Sequence, residues 1–85
     1  MSAPANGPVA NLRRHLDRFV DAADLSPDDL SYICVCSRDH VVRAMAEGRL
    51  DFFARGKLKR VPVAAARKFA DEMERAQARL RRTAA

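Results

Sequence analysis

LDFFARGKLKRVPV, residues 50–63, decides how this chain folds, because it reads as helix–connector–helix or as alternating strand. Leu50, Phe52 and Phe53 have the spacing of a short helix that Gly56 would stop. GKLKR, 56–60, is then a basic connector, and Pro62 opens the longest helix, from about Val63 to Arg82. KLKRVPV alternates as a strand does, but Pro62 interrupts it, and proline has no N–H for a ladder. The helical reading is therefore preferred, and it predicts an all-α, compact five-helix domain without a sheet.

The segments before it support helices. Val9, Leu12, Leu16, Phe19, Val20 and Ala23 lie three and four apart, one face of a first helix. In SPDDL, 26–30, Ser26 can cap a second helix, Pro27 suits its first position, and Asp28 and Asp29 favour its positive end. That helix should run to about Cys34. Ser37 is a second capping residue, Val41, Val42, Ala44 and Met45 continue a third helix, and Gly48 can end it.

Eighty-five residues suit one small domain with a modest core, for which a partner or dimer is a natural support. The expected organisation is a flexible arm over 1–8, one folded domain over 9–82 and a tail over 83–85. Net charge is +5, but residues 1–30 carry −2 and residues 31–85 carry +7. In the basic part the cations are interleaved with Phe, Leu, Val and Met, the pattern of a folded basic face with an anionic partner. There is no apolar run of about 18 residues, and MSAPANGPVAN lacks a signal-peptide pattern. The expected location is the cytoplasm, in association with the nucleoid.

ICVCSRDH, 33–40, admits two chemistries. A closed zinc site takes about four ligands; the chain offers Cys34, Cys36, His40 and the distant His15, and Cys-x-Cys-x3-His lacks a second cysteine pair. Cysteine is also a small buried hydrophobe, and core packing is preferred over redox sensing or metal. In the second reading the two short helices meet at a helix-turn-helix. Leu30 faces the core, Ser31 lets the helices cross closely, Cys34 and Cys36 close the turn, and Val41 and Ala44 pack the inner face of the next helix.

On these residues, LSYICVCSRDHVVRAM over 30–45 with the glycine of AEGRL, the chain resembles the phage-repressor-like (Cro/repressor, XRE-type) helix-turn-helix DNA-binding family. The resemblance covers about residues 9–75 and implies a five-helix fold, duplex DNA as ligand and commonly a homodimer on a palindromic operator. It departs from the family at Val35, where members usually have glycine; a β-branched residue suits a left-handed backbone poorly. A turn bent in another way, or a looser match, is expected there.

The outer face of the helix 38–47 holds Arg38, Asp39, Val42 and Arg43. Arginine is the commonest reader of guanine edges, so Arg38 and Arg43 are the expected base contacts rather than merely solvated groups. Asp39 is expected to order Arg43 through an i,i+4 pair in preference to accepting from cytosine. Ser37 and His40 would meet the DNA backbone. Lys57, Lys59 and Arg60 either clamp phosphates or form a solvated loop, and Arg13 and Arg14 are weaker candidates. Asp28 and Asp29 count against DNA at the start of the second helix, because phosphate would repel them.

In the last helix Val63, Ala66, Ala70, Met73, Gln77 and Leu80 form a seam, flanked by Phe69. Packing on the domain accounts for its first half through Met73. Beyond that point a second chain would cover Leu80, so Met73, Gln77 and Leu80 are the expected dimer interface. Arg75, Arg79, Arg81 and Arg82 suit the negative helix end or DNA. No catalytic arrangement stands out, and neither enzyme activity nor a cofactor or metal is expected.

The reading is a sequence-specific transcriptional regulator of bacterial or phage type that binds duplex DNA, without membrane attachment. Its rivals are a helical adaptor or anti-activator that meets a protein through the last helix, and a nonspecific nucleic-acid packaging protein.

Overall fold

A computed structural model describes residues 7–21 and 23–84, with side chains as far as Leu80. The element order is α1 (Pro8–Arg18), β1 (Asp24–Leu25), α2 (Pro27–Cys34), α3 (Arg38–Ala46), β2 (Phe53–Arg55), β3 (Leu58–Pro62) and α4 (Val63–Ala84). Among the described residues there are thus four helices and one antiparallel sheet of three strands in the order β1-β3-β2. The all-α, five-helix expectation is overturned, and the fold is mixed.

The correction lies in residues 50–63. Phe53 pairs with Arg60, Ala54 with Lys59 and Arg55 with Leu58, leaving Gly56 and Lys57 as a two-residue loop. Gly56 has φ +63, the positive value that the first central residue of such a hairpin requires. The basic connector is therefore the loop and second strand of a hairpin, and Phe52 and Phe53 are not helical. Pro62 does not prevent the strand. It stands opposite Asp24, and the neighbouring Val63 N–H donates to the Ala23 carbonyl at 3.3 Å, so the missing donor is not called on.

α1 is shorter than the apolar spacing predicts, ending at Arg18 instead of near Ala23. Phe19 and Val20 are 50% and 83% exposed. The chain leaves the helix because Asp24 and Leu25 are taken into the sheet, where Leu25 pairs with Val61 and both are fully buried. Of the expected arm over 1–8, residues 1–6 lie outside the described residues, while Pro8 is buried as the first residue of α1. In the expected tail, α4 continues to Ala84.

α2 and α3 follow the capping signals. Ser26 Oγ accepts from Asp29 N–H and Ser37 Oγ from His40 N–H, both at 3.1 Å. Each helix ends in the same way. After α2, Cys36 N–H donates to the Ser31 carbonyl at 3.0 Å and Val35 N–H to Tyr32 at 3.3 Å. After α3, Arg49 N–H donates to Ala44 at 2.9 Å and Gly48 N–H to Met45 at 3.2 Å. This is a Schellman end, which needs a left-handed residue outside the helix. Gly48 supplies it at φ +77, and Val35 supplies it at φ 53, ψ 51.

The turn is therefore the left-handed one, reached without glycine. An L-residue there costs about 1–2 kcal/mol. Glycine would give back part of that gain, about 0.5–1 kcal/mol, through its freer unfolded state. Val35 is 74% exposed and loses little burial on replacement. Val35→Gly should therefore stabilise the domain by about 0.5–1 kcal/mol, seen as a higher urea midpoint at unchanged slope. A lower midpoint would mean that the turn is unstrained.

The core lies between the sheet and the helices, with Leu12, Leu25, Leu30, Ile33, Cys34, Val41, Leu50, Val61 and Phe69 among its buried members. α4 packs on α1, α2 and the sheet through Ala66, Phe69 and Ala70. Met73 is partly buried against this core, Gln77 is half-buried, and Leu80 is 70% exposed.

Candidate nucleic-acid interface

α3 packs on α2 through Val41, Ala44 and Met45, all buried, and turns Arg38, Asp39, Arg43 and Ala46 outward; Val42 is half-buried beside them. Arg43 is exposed and makes no ion pair among the described residues. The expected Asp39–Arg43 pair is not formed. Arg38 instead meets Asp28, Nε to Oδ1 2.7 Å, across the starts of α2 and α3. Asp28 thus offsets a neighbouring cation rather than standing alone. With the two side chains 64% and 74% exposed, the pair is worth about 0–1 kcal/mol, which leaves Arg38 exchangeable with a stronger anion.

Ser37 serves as the cap of α3, and its hydroxyl is already engaged with His40 N–H. The His40 ring lies 6.3 Å from that of Phe69, on the side of α3 nearest α4. It is an exposed neighbour of α4 more than a member of the arginine face.

From α3 the chain passes through Gly48–Phe52 into the hairpin, which carries the second group of cations. Lys57 is exposed at the loop, and Lys59 is exposed with its Nζ 5.6 Å from the centre of the Phe52 ring. Arg60 is different. Its Nε donates to Asp24 Oδ1 at 2.6 Å, and its side chain is only 25% exposed. Asp24 is itself buried and also accepts from Arg55 at 3.0 Å. Arg60 is thus a structural cation that neutralises a buried carboxylate, and it is poorly placed to clamp phosphate.

Arg55, Phe53 and Leu58 were not among the candidates from sequence, yet they are exposed on the hairpin, Leu58 at 64%. The Arg55 guanidinium also lies 5.6 Å from the centre of the Phe53 ring. The signal that finds them is RGKL: a two-residue Gly-Lys loop between runs with strand-forming residues.

The two sulfurs of the turn face inward. Cys34 is fully buried and Cys36 half-buried against the core. Burial, and then the nearby Cys36, push the Cys34 thiol up to about 12, and burial raises that of Cys36. Both stay protonated at neutral pH, which suits packing and not thiolate chemistry.

Among the described residues, no three metal-binding side chains converge, and no helix is long and apolar enough to cross a membrane. Comparisons with protein-family models, curated proteins and solved structures give no match for this chain.

Proposed function

We propose that this protein binds duplex DNA as a transcriptional regulator of bacterial or phage type, with α3 in the major groove and the hairpin against the adjoining backbone. One observation carries the reading: a capped helix-turn-helix, left-handed at Val35, turns an arginine-bearing helix to solvent and leads into a basic hairpin. Arg43 and Arg38 read base edges, and Lys57, Lys59 and Arg55 neutralise phosphates. The hairpin that follows the two helices supports this reading, and the resemblance of the sequence to repressors rests on the turn and its two helices. Phosphate contacts supply most of the affinity and base contacts the discrimination. The protein acts as a binder, not an enzyme, and its site of action is the nucleoid.

A homodimer is part of the proposal. Because Met73 is already packed against its own domain, the second copy meets Gln77 and Leu80 on the outer half of α4. Exposed Leu80 also favours the second reading, an adaptor that meets a different protein through the same half-helix.

Selection of bound fragments from a random duplex pool tests the proposal, and a defined motif is the expected result. Enrichment without a motif would indicate a packaging protein, and no enrichment would favour the adaptor. Arg43→Ala should cost about 1–3 kcal/mol in affinity for the selected duplex and relax preference at one or two positions. Lys57→Ala should weaken all duplexes alike and lower the salt slope by about 1. Unchanged binding in Arg43→Ala would rule out the docking of α3.

A further inference from the structure

A groove of about 710 Å³ runs between α1 and the C-terminal end of α2. One wall is a single face of α1, where Asn11, Arg14, His15 and Arg18 recur at helical spacing. The other is formed by Tyr32, Val35 and Cys36 from the end of α2 and the turn. Asn11 joins the walls, its Nδ2 donating to the Ile33 carbonyl at 2.9 Å, and Arg14 in turn donates to Asn11 Oδ1. No residue of α3 or of the hairpin lines it.

Two properties of the groove occur together. Arg14, His15 and Arg18 line it with no carboxylate among its lining residues. Around them Phe19, Tyr32 and Val35 are 50%, 86% and 74% exposed, a concentration of apolar side chains in water. The groove of about 490 Å³ between α1 and α4 differs, since Asp17 and Asp71 line it along with Arg13 and Arg67. The first groove is therefore cationic and apolar at once, and only an occupant that is anionic and apolar complements it. A phosphodiester backbone would leave Tyr32 and Val35 unused, and a small anion would leave them wet.

We infer that this groove docks a short acidic segment of a partner protein whose leucine or phenylalanine side chains cover Phe19, Tyr32 and Val35 while its carboxylates meet Arg18 at the edge of the groove. This goes beyond DNA binding and uses none of the residues assigned to it, so the two are separable.

The test uses a synthetic peptide of alternating Glu and Leu/Phe, with a Lys-for-Glu version as control. Tyr32 is the only tyrosine, and the chain has no tryptophan, so intrinsic fluorescence reports from this groove. The acidic peptide should change Tyr32 emission saturably, and the lysine version should not. Arg18→Glu, an exposed site that leaves the Asn11 link intact, should weaken the acidic peptide about tenfold through like-charge contact, with an unchanged circular dichroism spectrum. Lys57→Glu should leave it unaffected, and duplex binding by Arg18→Glu should match that of the parent. Three results would overturn the inference. Loss of peptide affinity in Lys57→Glu and not in Arg18→Glu would show that the peptide had imitated DNA at the hairpin. Weakening of duplex by Arg18→Glu as strong as that of peptide would make the groove a nucleic-acid surface. A response of Tyr32 emission to protein concentration alone would make the occupant a second copy. If no duplex were ever bound, a positive peptide result would still stand.

Discussion

Leu25→Ala is expected to destabilise the domain by about 3 kcal/mol, within the 2–5 kcal/mol usual for leucine truncated in a core. Leu25 lies between two helices in the chain, where loops normally tolerate change. In the fold it is fully exposed to nothing but protein: its relative exposure is 0%, and it pairs with Val61, also at 0%. Alanine there removes apolar contact from strand, helix and core together, and the surroundings cannot collapse without breaking the β1–β3 pairing. A domain of this size has about 5–15 kcal/mol in total at best, so the variant should be partly unfolded under mild urea. Val20→Ala is the control. Val20 is 83% exposed, and its loss should stay within about 0.5 kcal/mol. Equal, small effects at both positions would return Asp24 and Leu25 to a loop and remove β1 from the fold.

Arg60→Met should cost about 2–3 kcal/mol, and the loss should appear in folding before it appears in DNA binding. The Asp24 side chain is 7% exposed and is held by Arg60 at 2.6 Å and Arg55 at 3.0 Å. Removing one partner of a buried pair strands the other charge, typically for about 3–5 kcal/mol. The value is lower here because Arg55 remains, although its side chain is 66% exposed and water competes for it. Arg55→Ala alone should therefore cost less than about 1 kcal/mol. Asp24→Leu combined with Arg60→Met should recover much of the loss, because an apolar pair carries no desolvation penalty. Urea unfolding of the three variants measures this, and a duplex titration at several salt concentrations accompanies it. If Arg60→Met left stability intact and lowered the salt slope, Arg60 would belong with the cations proposed to meet phosphate after all.

The candidate interface was legible in the sequence where its geometry is local. Ser26 and Ser37 cap the helices they were expected to cap, and Gly48 ends α3. The roles that depended on distant partners were not legible. Arg38 answers to Asp28, ten positions before it, and Arg60 to Asp24 across the sheet. A count of charges along the chain treats Arg60 and Lys59 alike. Burial separates them, since alternation on a strand turns one toward Asp24 and the other to solvent.

Residues 26–48 carry their own instructions: cap, proline, acidic first turn, apolar stripe and glycine all act within about one helical turn of where they stand. The sequence by itself thus determined the two capped helices α2 and α3, the turn between them and the long last helix. Whether 50–63 became helix or hairpin, and where α1 stopped, was decided only in three dimensions. A strand is completed by hydrogen bonds to another segment, and β3 finds its partners in Phe53–Arg55 on one side and Asp24–Leu25, far back in the chain, on the other. Those pairings, together with burial of Leu25 and Val61, outweigh the local helical spacing of Leu50, Phe52 and Phe53.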